Sequence, residues 1–122
     1  MTSRAAVYDG DDFYCDVALP GVAVLDVVHD GPGILAFHHT RPYWEVHIVV
    51  VPKRHVRSLT TLTDADEPLV RELLRVVAEV AGEVEREHGA ARVVTNVGGY
   101  QDSKHLHVHV ASGRRRDEWR TA

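Results

Sequence analysis

Apolar and polar positions alternate most regularly over His105-Leu106-His107-Val108-His109-Val110-Ala111. Successive side chains of a strand leave on opposite faces, so this stretch sets three histidines on one face and Leu106, Val108 and Val110 on the other. A near-continuous apolar run from Val46 to Val51, interrupted only by His47, predicts a central strand covered on both faces and ended by Pro52. The shorter runs Val22 to Val28 and Ile34 to Phe37 predict a hairpin around the turn His29 to Gly33. Arg92 to Val97 predicts a further strand.

One stretch follows a different period. Leu69, Leu73, Val76, Val77, Val80 and Val84 recur at helical spacing and predict a long helix from Thr63 to His88. Thr63 or Asp64 can cap it, Pro68 is tolerated in its first turn, and Gly89 stops it. Phe13 to Leu19 reads as a short helix halted by Pro20-Gly21. The rest reads as an arm over 1–11, a loop from His38 to Glu45, a polar exit Lys53-Arg54-His55, a connector from Gly98 to Ser103 and a tail over 112–122. Strands gathered around one long helix predict a single α+β domain over 1–122, with an antiparallel sheet of about five strands, one long helix and one short helix.

Composition narrows the function classes. The 122 residues suit one domain with its own core. A formal net charge of −4 argues against a general nucleic-acid binder. Cys15 is the only cysteine, which fits a reducing compartment. No secretory leader and no membrane-spanning run is legible, so a cytoplasmic protein without nucleic-acid or membrane partners is expected.

Candidate chemistry centres on the histidine row. Three imidazoles carry six ring nitrogens that need partners, and water, a metal or a phosphate can supply them. Neighbours on one strand face stand about 6.5–7 Å apart. That spacing is awkward for three ligands of one tetrahedral ion. A phosphate is larger and can be touched by several spaced donors at once.

The 105–111 stretch resembles the signature of the histidine triad (HIT) superfamily of nucleotidyl hydrolases and transferases, His-φ-His-φ-His-φ-φ with φ apolar. His47-Ile48-Val49-Val50-Val51-Pro52-Lys53-Arg54-His55 is similar to its His-φ-φ-φ-φ-Pro-Lys-x-His segment. Val93 to Gly98 resembles the strand ending in its Asn-x-Gly, and Leu35-Ala36-Phe37-His38 its Leu-Ala-Phe-His strand. The likeness runs from about Phe13 to the tail and is greatest for the small purine-nucleoside phosphoramidases.

That resemblance implies a nucleotide phosphoramidase, or related nucleotidyl hydrolase, cleaving at the α-phosphate of an AMP or GMP derivative. His107 would be the nucleophile and form a nucleotidyl-imidazole that water then hydrolyses. His109 would contact the phosphate, His105 would orient the array, and His47 would support it. Asn96 would hold the ribose–phosphate region, and Gln101 would bridge toward the leaving group. Tyr14, Val17, Phe37 and Thr40 would form the apolar slot around the base. A homodimer with sheets side by side is implied, with Trp119 reaching the partner. The alternatives are a nucleotide-binding dimeric scaffold with weak or no turnover, and a specialised nucleotidyl lyase or phosphorylase.

Three positions depart from the family pattern. His39 stands where an aspartate holds the ribose hydroxyls, Asp102 where a Ser or Thr helps protonate the leaving group, and Lys104 where an aromatic or apolar residue precedes the triad. Some bacterial members bind zinc through Cys-x-x-Cys and two histidines. Here Asp12 takes the first cysteine position, so Asp12, Cys15, His55 and His105 form the metal alternative. The expectation is no metal and no cofactor, with Cys15 packed as a small hydrophobe.

Overall fold

The computed structural model describes Gly10 and residues 12–115. The 1–11 arm apart from Gly10, and residues 116–122 with Trp119, lie outside the described residues.

Among the described residues five strands form one antiparallel sheet: β1 (Val27–Asp30), β2 (Ile34–His38), β3 (Trp44–Pro52), β4 (Arg92–Val94) and β5 (Val108–Arg115), in the spatial order β1-β2-β3-β5-β4. The apolar run of β3 is central because its two faces meet two different covers. Ile48 and Val50 join Ile34, Ala36, Leu106, Val108 and Val110 under the long helix α1 (Glu67–His88). Val49 and Val51 join Leu35 and Phe37 under Tyr14 and Ala18 of a short helical segment, Tyr14–Ala18. Ile34, Leu35, Ala36 and Phe37 are therefore all buried although β2 is only five residues long.

Helix α1 turns Leu73, Val76, Val77, Val80 and Val84 inward, as the periodicity predicts, and half-buries Leu69 at the edge of the same cluster. Gly89 ends it at φ 85°, a left-handed value that glycine takes without penalty, and donates its N–H to the Glu85 carbonyl.

The boundaries depart from the sequence expectation where local chemistry intervenes. Helix α1 begins at Glu67 rather than Thr63. The residues before it form a separate tight turn, Asp64–Asp66, in which the Thr63 side chain and the Asp66 carboxylate each accept the other's backbone N–H. Pro68 then takes a first-turn position, where its missing N–H costs nothing. Val22–Val24 is a tight turn and not strand, so β1 begins only at Val27 and continues through His29 and Asp30. The hairpin turn contracts to Gly31–Gly33, closed by the Gly31 N–H on the Ile34 carbonyl. Strand β4 stops at Val94, and the Thr95 hydroxyl donates to the His107 carbonyl instead. The tail begins later than expected, because Ser112 to Arg115 complete β5 against β3. Gly113 sits there at φ 88°, and a Cβ would stand 2.4 Å from the Glu45 carboxylate.

Candidate active site

Strand β5 starts at Val108, so of the three histidines only His109 lies in the paired ladder. His105 and His107 belong to the extended lead-in, which the Leu106 N–H ties to the Val56 carbonyl. The alternation nevertheless holds. Leu106, Val108 and Val110 face α1, and the imidazoles face Tyr14, whose ring lies 5.7 Å from His105 and 4.8 Å from His107. Six ring nitrogens that need partners make burial of such a row costly, yet all three rings are buried. The cover is possible because backbone groups and neighbouring side chains satisfy the ring nitrogens.

Those partners assign the tautomers. His107 Nδ1 lies 2.7 Å from the His105 carbonyl, which can only accept, so Nδ1 carries the proton. Nε2 of a neutral His107 is then a lone pair. His47 Nδ1 accepts the Tyr43 N–H at 2.9 Å, so its proton is on Nε2, which donates to His109 Nδ1 at 2.8 Å. His109 must then carry its proton on Nε2. His39 Nδ1 accepts the Arg41 N–H at 2.9 Å, which likewise places its proton on Nε2. The outcome is one nucleophilic lone pair, on His107, beside the donor nitrogens of His109 and His39.

His107, His109 and His39 line a cavity of about 270 Å³ together with Tyr14, Phe37, Thr40, Asn96 and Asp102. Phe13, Arg41, Tyr43, Tyr100 and Ser103 complete it. The sequence did not single these five out. The only signal was their position, in the crowded 38–45 loop, the glycine-rich connector and the start of the first helical segment. His47 and His105 stay behind the wall, where the His47 ring bonds His109 and the His105 carbonyl bonds His107. Two expected lining residues are elsewhere. Val17 is 42% exposed and not part of the cavity wall, because the segment carrying Tyr14 turns that side outward. Gln101 is buried and spends its amide on the Arg57 carbonyl at 2.7 Å, away from the cavity. Lys104 folds back onto the Gly98 and Gln101 carbonyls and braces the connector.

Burial sets the protonation of the histidines. It lowers His39 to about 4, with help from the charges of His109, His107 and Arg41. It lowers His47 to about 3 and His109 to about 4, again with neighbouring imidazoles assisting. His107 is also lowered by burial, against the opposing bond to His105. All four are therefore neutral at pH 7, the state a nucleophile and a chain of neutral donors require. The same shifts make stability depend on pH. Between the ordinary histidine value near 6.5 and the folded values, the unfolded chain binds protons that the folded chain refuses. Stability is therefore full above about pH 6.5 and falls as pH drops toward 4 and 3. Urea midpoints at pH 7.5, 6 and 5 should decline in that order, and the decline should shrink in His47→Gln, which removes one titrating ring.

A second cluster lies behind His105. Its Nε2 donates to the Pro52 carbonyl at 2.8 Å, so Nδ1 of the neutral ring is a lone pair. That lone pair faces the Asp12 carboxylate and the Cys15 sulfur, each at 3.3 Å. His55 Nδ1 stands 2.6 Å from Asp12 and 3.6 Å from Cys15. Cys15 is thus not packed as a small hydrophobe. It is half-exposed among polar groups, and burial together with Asp12 raises its thiol to about 11. One donor atom from each of Asp12, Cys15, His55 and His105 lies within 4.8 Å of all the others. This N₂SO set suits a tetrahedral ion. His39, His47 and His109 are equally close, but both nitrogens of His47 and Nδ1 of His39 and of His109 are engaged in hydrogen bonds, and the remaining nitrogens of His39 and His109 carry protons, which disfavours ligation there.

The fold and this site define a class: a small α+β domain that buries a relay of neutral histidines beside one cavity. The family model for scavenger mRNA decapping enzyme C-terminal binding matches residues 13–121. An uncharacterized 13.2 kDa HIT-like protein of Azospirillum brasilense is 32% identical, over 91% of this chain and 93% of its own. An uncharacterized HIT-like protein of Synechococcus elongatus is 33% identical, over 73% and 79%. Among solved structures, a HIT family hydrolase from Legionella pneumophila superposes with a TM-score of 0.73 at 28% identity, covering 84% of this chain and 93% of that one. The chain belongs to the histidine triad superfamily.

Proposed function

We propose that the protein is a nucleotidyl hydrolase, most simply a purine nucleotide phosphoramidase, working through a nucleotidyl-His107 intermediate. The observation that carries this reading is the His107 tautomer. The His105 carbonyl holds the Nδ1 proton and leaves the Nε2 lone pair at the cavity. Attack by Nε2 on the α-phosphorus forms the N–P bond as the bond to the leaving amine breaks. The positive charge gained by the ring is held by the Nδ1–H bond to that carbonyl. Charge on the non-bridging oxygens meets the His109 Nε2–H, which His47 aligns. The leaving amine takes its proton from water, and the hydroxide so formed displaces His107 from phosphorus and releases the nucleotide. Phe37 and Tyr14 form the apolar wall for the base, and Asn96 holds the sugar side. Acid quenching during turnover of adenosine 5′-phosphoramidate should trap AMP on His107. A peptide over residues 105–111 that never carries the adduct would remove the covalent route.

Asp102 supports a second reading, a nucleotide-binding scaffold with slow turnover, because a carboxylate beside the phosphate opposes anionic substrates. Absence of product from AMP and GMP phosphoramidates, despite AMP binding, would favour it. For assembly we propose a homodimer joined along β4, an edge strand with Val93 half-exposed. Among the described residues no helix is long and apolar enough to cross a membrane.

For the second cluster we propose that Asp12, Cys15, His55 and His105 hold a divalent ion such as zinc, which would fix the Tyr14 segment over the histidines. The protein as purified should then contain about one metal equivalent by elemental analysis. Asp12→Ala should reduce that content and lower the melting temperature. A wild-type protein without metal, whose stability chelators leave unchanged, would sink the idea.

A further inference from the structure

The cavity is polarised along its length. Asp102 and Arg41 both line it; Asp102 adjoins Ser103, whose hydroxyl accepts the Phe13 N–H beside the Tyr14 ring over His107, whereas the Arg41 N–H bonds His39. The carboxylate therefore lies toward the nucleophile, and the guanidinium lies beyond it toward the His39 end. His39 itself is fixed. Its Nδ1 is filled by the Arg41 N–H, and its ring is stacked on His47 at 4.3 Å and lies 6.0 Å from His109. In that tautomer its free nitrogen only donates. Thr40 adds a hydroxyl to the same wall. The end of the cavity one ring beyond His109 thus offers an imidazole N–H, a hydroxyl and a guanidinium, and among the described residues no carboxylate lines that end to accept from sugar hydroxyls. Such a set is complementary to an anion and indifferent to a neutral diol.

We propose that His39, Thr40 and Arg41 form a subsite for a second phosphate, carried on the ribose of the bound nucleotide at its 2′ or 3′ oxygen. The inference rests on the proposed nucleotide site and names its substrate class, a nucleoside 5′-phosphoryl derivative phosphorylated again on the sugar. The ribose is the better carrier than the 5′ chain. With the α-phosphate between His107 and His109, a longer 5′ chain extends toward Asp102, while the sugar extends toward His39.

Equilibrium binding of four probes to the full chain decides the matter: AMP, adenosine 3′,5′-bisphosphate, adenosine 2′,5′-bisphosphate and ADP. At least one bisphosphate should bind about tenfold or more tighter than AMP, and its advantage should weaken with salt. ADP should gain no such advantage. In Arg41→Ala the ratio of the AMP and bisphosphate constants should fall toward one, and His39→Asp should reverse the preference. Circular dichroism checks that both variants are folded, and Arg41→Lys, which keeps the charge, should retain part of the ratio. AMP binding as tightly as both bisphosphates, or ADP matching the better bisphosphate, overturns the subsite and leaves the nucleotide reading intact. Failure of all four probes to bind overturns both.

Discussion

His107→Asn should bind AMP yet turn over adenosine 5′-phosphoramidate at least about 10⁴-fold more slowly than the wild type. Asparagine keeps a similar volume and can still donate toward the His105 carbonyl, but its amide nitrogen has no lone pair free to attack phosphorus. The size of the loss separates a nucleophile from a helper. Removing one hydrogen-bond donor to the developing charge costs typically about 10²–10³ in kcat. His109→Gln should fall in that smaller range, since it removes the Nε2–H but leaves the attacking atom. His47→Gln should fall lower still, because His47 reaches the cavity only through its 2.8 Å contact with His109. Stopped-flow and steady-state rates on the three variants give the order directly. An active His107→Asn variant would transfer the chemistry to another group, and equal losses at His107 and His109 would mean that the two act as one donor pair.

Val76→Asp should leave the chain largely unfolded at room temperature. Val76 is 0% exposed, at the centre of the cluster that α1 makes with β2, β3 and β5. Among the described residues that cluster is built of apolar side chains, so the carboxylate would enter unpaired, at a cost of several kcal/mol. Natural domains have only about 5–15 kcal/mol in hand. The neighbouring Leu74→Asp offers the control. Leu74 is 61% exposed on the opposite side of the same helix, and its replacement should cost no more than about 1 kcal/mol, from helix propensity alone. Urea unfolding followed by circular dichroism separates the two. Similar losses at both positions would contradict the assigned face of α1.

The contrast between Val76 and Leu74 shows why the helix was legible from residue order. Its stripe repeats every three to four positions over many residues, and only one surface can bury it. Strand β3 was legible for a similar reason. The ends of elements were less so. Helix α1 starts at Glu67 because Thr63 and Asp66 satisfy one another across a separate turn. β4 stops at Val94 because Thr95 finds the His107 carbonyl. Both outcomes depend on partners that compete with the ladder and that no local pattern ranks.

The site divides in the same way. By itself the sequence determined that three histidines share a face, because strand alternation is a local property, and its resemblance to the histidine triad pattern implied that His47 belongs with them and that His39, Asp102 and the Asp12–Cys15 pair are the unusual positions. Which nitrogen of each ring carries the proton was decided only in three dimensions. The Pro52 and His105 carbonyls and the Tyr43 and Arg41 amides reach the rings from different elements, and a buried imidazole takes whichever tautomer its fixed backbone partner allows. Tertiary structure likewise turned Gln101 and Val17 away from the cavity, brought Arg41 to its wall, and gathered Asp12, Cys15, His55 and His105 around one point. Direction across a gap is a property of packed neighbours, and spacing along the chain does not contain it.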